Sequence, residues 1–267
     1  MITERSRAAH CASAELLASR AREALRGAGG STIVASLLQE AAGHTDGTTA
    51  APGPVPAAGA VRRSGADALA PYLLTGRTPP PEETAAVRLI LAALPPAPQP
   101  PAAPPRGPEP PWTRAWIDWG LVTVLARLDA GAPPVPAPMP AGPPCYDGTA
   151  PRHRSAAQGG AGEGWVPWAL RMGQLASLAL PGLDTPVHQA AHSGAEALAR
   201  GATRSLLRRD FATAARLTRW LAWLAADGAA LPLDAALLVE DIALRGGGNR
   251  CLLDVAICRH LLGLEGA

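Results

Sequence analysis

Apolar residues recur every three to four positions along most of the chain, the spacing that buries one face of a helix. No stretch carries a strand pattern. Residues 5–27 read as a first helix, with Ala14, Leu17 and Leu25 inward and Gly27 as its stop. Ser31 is placed to cap a second helix from Thr32 to Ala42, ended by Gly43. The polar, Gly- and Pro-rich residues 44–60 read as a loop. Ala66 to Leu74 gives at most a short helix, interrupted by Pro71. In Thr78-Pro79-Pro80-Pro81-Glu82-Glu83 the prolines suit a first helical turn and the acids suit the positive end of the helix dipole, so a helix runs on to Leu94.

Prolines dominate residues 95–111, which predicts an extended spacer, or a ligand for a polyproline-binding partner domain. Trp112 to Leu128 reads as a helix with Trp112, Trp116 and Trp119 at helical spacing, either a core stripe or the wall of a ligand pocket. A second Pro/Gly segment covers 131–151 and continues Gly-rich to Gly164. Beyond it the helices are closely linked. One starts near Pro167 and reaches Leu180. The next is capped by Asp184 or Thr185 and runs to Arg208 with a kink at Gly201. A third starts from Asp210 and ends at Asp227-Gly228. A fourth opens at Pro232 and stops at Gly246-Gly247-Gly248, and Asn249 caps the last, Arg250 to Leu262.

The expected architecture is all-α, a helical bundle or helix-pair array in two lobes joined by Pro-rich linkers. The expected divisions are an N-terminal lobe (1–94), a linker (95–111), the Trp-bearing helix (112–130), a second linker (131–164) and a C-terminal lobe (165–267).

Composition sharpens this. Aromatic residues are only 4% of the chain, so Leu and Ala must fill the core, which favours helices. All 24 basic residues are Arg, which with the Ala, Gly and Pro usage marks a GC-rich genome and lowers the weight of any single Arg. A net charge of +2 gives no case for nucleic-acid or anionic-membrane binding. No uncharged apolar run of about eighteen residues is present, and Met1 to Arg7 lacks the apolar core of a signal peptide. Cys11, Cys145, Cys251 and Cys258 are sparse and form no CxxC pair, so a cytoplasmic protein with free thiols is expected. The absence of Lys excludes a Walker-A loop and a Schiff-base lysine.

The candidate chemistry lies between Asp184 and Asp227. His188, His192 and Glu196 follow at four-residue spacing and form a slowly turning row on a helix. Two imidazoles and a carboxylate suit catalysis, and His188 with His192 suits Zn or non-haem Fe. The order His-Gln-Ala-Ala-His, however, lacks the general base of a zinc protease. The plainer reading is histidines at the border of a buried face, with Glu196 paired to Arg200. Arg200, Arg204, Arg208 and Arg209 continue outward. On the next helix Ala214, Leu217, Leu221 and Leu224 form the inward row, which puts Arg216, Arg219 and Trp223 on the opposite face. Those residues, with Arg200, Arg204, Trp112 and Trp116, are the candidate ligand-binding set. Their chemistry suits cation–π packing, a partner helix or an anion.

Asp234, Asp241 and Arg245 form a further polar stripe. Cys258 and His260 are two apart on a helix and cannot face each other as a nucleophile pair.

These features predict a helical binding or accessory protein, in bacterial specialised (natural-product) metabolism by association of composition, that presents a groove to a partner protein or small molecule. The alternative is an enzyme of the same metabolism, with a His/Glu-lined and metal-dependent site acting on an anionic or apolar substrate. No cofactor is identified by any motif.

Overall fold

The computed structural model describes residues 4–28, 30, 32–43, 53–94, 111–129, 139–140 and 164–265. Among them every regular element is helical: α1 (Glu4–Leu25), α2 (Val34–Gly43), α3 (Pro54–Ser64), α4 (Ala70–Thr75), α5 (Pro81–Ala93), α6 (Pro111–Leu128), α7 (Trp165–Gln174), α8 (Pro186–Ser193), α9 (Ala195–Leu207), α10 (Phe211–Ala226), α11 (Ala235–Arg245) and α12 (Asn249–Leu261). Short 3-10 turns span Gly65–Ala68 and Ala176–Leu178. The fold is all-α. Most of the two Pro-rich segments, 95–110, 131–138 and 141–163, lies outside the described residues, as do Ser31 and the side chain of Trp112.

Prolines start helices here. Pro54, Pro71, Pro81 and Pro186 all sit in first turns, where a missing N–H costs nothing and a fixed φ is already helical. This corrects two expectations. Residues 54–60 are not loop but the first part of α3, and Pro71 opens α4 rather than interrupting it. Caps follow side-chain chemistry. Thr185 accepts the Val187 N–H, Asp210 the Thr213 N–H, and Asp234 the N–H groups of Ala236 and Leu237. Asp234 is therefore a cap rather than part of a polar stripe. Asn249 is not a cap but the first residue of α12, and its own N–H donates to Glu15 Oε2 at 2.6 Å.

The α8–α9 segment breaks at Gly194, not Gly201. A Cβ at Gly194 would overlap the ring of Trp168. The close approach of α7 is thus what demands glycine there. Gly201 lies inside α9, where a Cβ would press on Ala169 and Leu217.

One helix organises the C-terminal half. α10 packs against α7, α8, α9, α11 and α12, and it is buried from Ala214 nearly to its end. The core gives no confirmation of two lobes, because one apolar cluster runs from Leu17 of α1 through Trp116 of α6 to Ile257 of α12. α1 lies directly against α12. Trp116, Trp168 and Trp220 are fully buried and anchor this cluster. Each removes ~150–250 Å² from water, on the order of 4–6 kcal/mol at ~25 cal/mol/Å². No helix among the described residues is long and apolar enough to cross a membrane.

Candidate functional site

The expected histidine row does not form one site. His188, on α8, is buried, and both its ring nitrogens are engaged. Nε2 donates to the Leu178 carbonyl at 2.9 Å, and Nδ1 meets the Thr185 hydroxyl at 2.8 Å. Thr185 uses its hydroxyl oxygen to accept the Val187 N–H, so its proton is left to donate to Nδ1. These bonds define a neutral imidazole. Burial pushes its pKa down to about 4. His192 is exposed and reaches Asp227 at 3.0 Å. Glu196 lies past the break at Gly194, on α9, and pairs with Arg200. Among the described residues no group of three or more His, Cys, Asp or Glu is placed to hold a metal ion.

What the two histidines share is tryptophan. Trp223 stacks edge-on with His188 (4.7 Å between centroids) and with His192 (5.2 Å), and Trp220 stacks with His188 (5.3 Å). Trp220 donates its indole N–H to the Met172 carbonyl at 2.7 Å. Trp223 was expected on the outward face of α10 but is buried. The same correction holds for Arg219, whose side chain is completely buried. The helical wheel allotted α10 a single inward face, whereas five neighbours surround it. The inward row Ala214, Leu217, Leu221 and Leu224 is buried as expected.

Arg219 belongs to a four-charge group that the wheel did not reveal. Its Nη1 lies 2.6 Å from Asp67 Oδ1 and 3.2 Å from Asp254 Oδ1, and its Nε donates to the Ala179 carbonyl at 3.3 Å. Arg250 completes the group through Asp67 Oδ2 and, at 3.6 Å, Asp254 Oδ2. Two guanidiniums and two carboxylates balance in charge. Burial works against the Asp67 anion, yet Arg219 and Arg250 hold its pKa below the usual carboxylate range. Burial likewise opposes the Arg250 cation, and Asp67 and Asp254 overcome it. The group ties the 3-10 turn of Gly65–Ala68 to α10 and α12, so its geometry is that of a structural tie. A one-turn-spaced Arg250/Asp254 pair was the signal for it in the sequence.

Two thiols sit in the same helix. Burial raises the pKa of Cys251 to about 11 and that of Cys258 further, so neither is a ready thiolate. His260 bonds Glu265 at 2.6 Å and the Leu74 carbonyl at 2.7 Å, away from thiol chemistry.

Exposed apolar surface collects elsewhere. A groove of about 780 Å³ runs between α11 and α12 beside the end of α1. α11 lines it with Ala236, Leu237, Glu240, Ala243 and Leu244, and α12 with Leu252, Val255, Ala256 and Arg259. Leu237 is 69% exposed and Leu244 85%. Glu240 and Arg259 bridge the two helices with paired bonds of 2.9 and 2.8 Å. Of the remaining candidates, Arg200 and Arg204 are exposed on α9, Arg216 is half-buried on α10, and Trp116 is in the core. The candidate set is therefore dispersed.

Comparison with known proteins adds no relative: no family model, curated protein or solved structure matches this chain.

Proposed function

We propose that the protein is a helical binding protein whose α11/α12 groove receives an amphipathic helix from a partner protein. The observation that carries this is the periodicity of the groove itself. α12 contributes residues 252, 255, 256 and 259, and α11 contributes 236, 237, 240, 243 and 244, so each wall is one helical face. Two such faces leave a channel into which the side-chain ridges of a third helix fit. Leu237 and Leu244 are seven residues apart, roughly 10 Å along α11, which matches two turns of an occupant. An occupant with apolar residues at i, i+3, i+4 and i+7 would cover both leucines. The Glu240–Arg259 bridge would fix its register by demanding a polar or small residue opposite.

The test is selection of binders from a displayed library that holds both helix-forming and non-helical peptides. Selected peptides should carry apolar residues at i/i+3/i+4/i+7 spacing. Their affinity should fall at least about tenfold for the Leu237→Glu/Leu244→Glu variant. Selection of extended peptides, or binding indifferent to that variant, rejects the reading. A dimer in sedimentation equilibrium that the same variant dissolves would assign the groove to a second copy of the chain and also reject it.

A further inference from the structure

Two cations at the C-terminal end of α9 form no ion pair among the described residues. Glu196 holds Arg200, but Arg204 and Arg208 are exposed and make no ion pair among the described residues. Both line a cavity of about 240 Å³ between α7 and α9, well away in sequence from the α11/α12 groove. Its apolar wall includes Trp165, Leu170 and Leu217, and Leu170 is left 49% exposed. Asp210 also lines the cavity, and its Oδ1 is held by the Thr213 N–H at 3.1 Å. Arg209, between Arg208 and Asp210, has a left-handed backbone with φ of 60°, and this turn lets both its neighbours line the same space.

We propose that this cavity binds a small carboxylate carried on an apolar stem. Arg204 and Arg208 are one helical turn apart, so both can address one carboxylate with their N–H forks. Asp210 offsets one of the two positive charges. The net single positive charge suits a monoanion better than a doubly charged phosphate. Trp165, Leu170 and Leu217 give the stem an apolar surface to cover. The volume falls below the ~300–1,000 Å³ of sites for drug-sized ligands, so the ligand is small.

Titration calorimetry of the full chain with octanoate and with 1-octanol tests this. Octanoate should bind at submillimolar concentration, with 1-octanol at least tenfold weaker. Arg204→Glu/Arg208→Glu should weaken octanoate at least tenfold while the helical circular dichroism stays intact, since both side chains are exposed. Quenching of tryptophan emission by octanoate should vanish in Trp165→Phe. Leu237→Glu/Leu244→Glu should bind octanoate normally, so the two grooves can fail independently. The proposal is overturned by octanol binding as well as octanoate, by undiminished binding in the arginine variant, or by the absence of saturable heat. Binding to phosphatidylglycerol vesicles without binding to monomeric octanoate would replace the small ligand with a lipid surface and equally overturn it.

Discussion

Arg219 Nη1 and Asp67 Oδ1 meet at 2.6 Å with neither side chain reaching solvent. An ion pair so placed is weak evidence of net stabilisation, because both charges were dehydrated to form it. Its removal is a different matter. Asp67→Ala leaves Arg219 and Arg250 facing Asp254 alone, and one buried positive charge is uncompensated. That should cost about 3–5 kcal/mol in urea unfolding. Asp67→Leu/Arg219→Met restores neutrality and leaves Arg250 with Asp254, so it should lose less than its two single changes combined. Additive losses would show that the pair is not coupled.

Glu83 also acts on a distant segment, across 50 residues to Ile33. It was expected to serve its own helix, α5, as a first-turn acid. It does lie in the first turn of α5, and its fully buried carboxylate also accepts the N–H groups of Ile33, Val34 and Ala35 at 2.8–3.1 Å and so caps α2. Its charge also sits at the positive end of that helix. Burial, then Glu83 beside it, raises the Tyr72 pKa, so the phenol stays protonated as a fourth donor. Glu83→Gln keeps the shape but replaces one acceptor oxygen with a donor facing N–H groups. A loss of about 2–3 kcal/mol is expected. Hydrogen exchange should find the first amides of α2 deprotected; unchanged protection there would contradict the capping role.

The helices were legible because local signals agree with the fold. Leu and Ala spacing places α1, α5, α6 and α10, and Thr185 and Asp210 mark starts by their chemistry. What the sequence hid is long-range. At Gly194 the Trp168 ring from α7 leaves no room for a side chain, a constraint that nothing within α8 or α9 encodes. Arg219 and Trp223 looked outward because amphipathicity assumes one buried side, and α10 has neighbours all round. The grooves were hidden for the same reason. Leu244 and Leu237 look like ordinary apolar positions until the structure leaves them uncovered.

His188 makes stability depend on pH. The imidazole titrates at 6.5 when unfolded and at about 4 when folded, with burial as the main cause. The unfolded chain therefore takes up the proton first as pH falls. The contribution is fully present above 6.5, declines between 6.5 and about 4, and levels off below that. At ~1.36 kcal/mol per pH unit, the loss reaches about 3 kcal/mol. Urea midpoints measured from pH 7 to pH 4 should show this slope in the native protein and not in His188→Gln. Equal slopes in the two proteins would show that His188 is not the titrating group.

Arg209 pays for the turn between α9 and α10. Its φ of 60° is left-handed, and it is the non-glycine residue that adopts such a value among those described. An L side chain there costs roughly 1–2 kcal/mol, whereas glycine pays nothing sterically but enlarges the entropy of the unfolded chain by ~0.5–1 kcal/mol. The balance favours Arg209→Gly by about 0.5–1 kcal/mol. Arg209→Val should lose stability, because a β-branched residue suits this region least. Since Arg209 is exposed and only its backbone N–H bonds, to the Leu206 carbonyl at 2.9 Å, neither change removes a side-chain contact. Thermal unfolding of both variants thus reads backbone conformation, as strain in the folded turn set against the entropy of the unfolded chain. A glycine variant less stable than the valine variant would mean that the turn is not left-handed in solution, and with it would go the placement of Arg208 and Asp210 on one cavity.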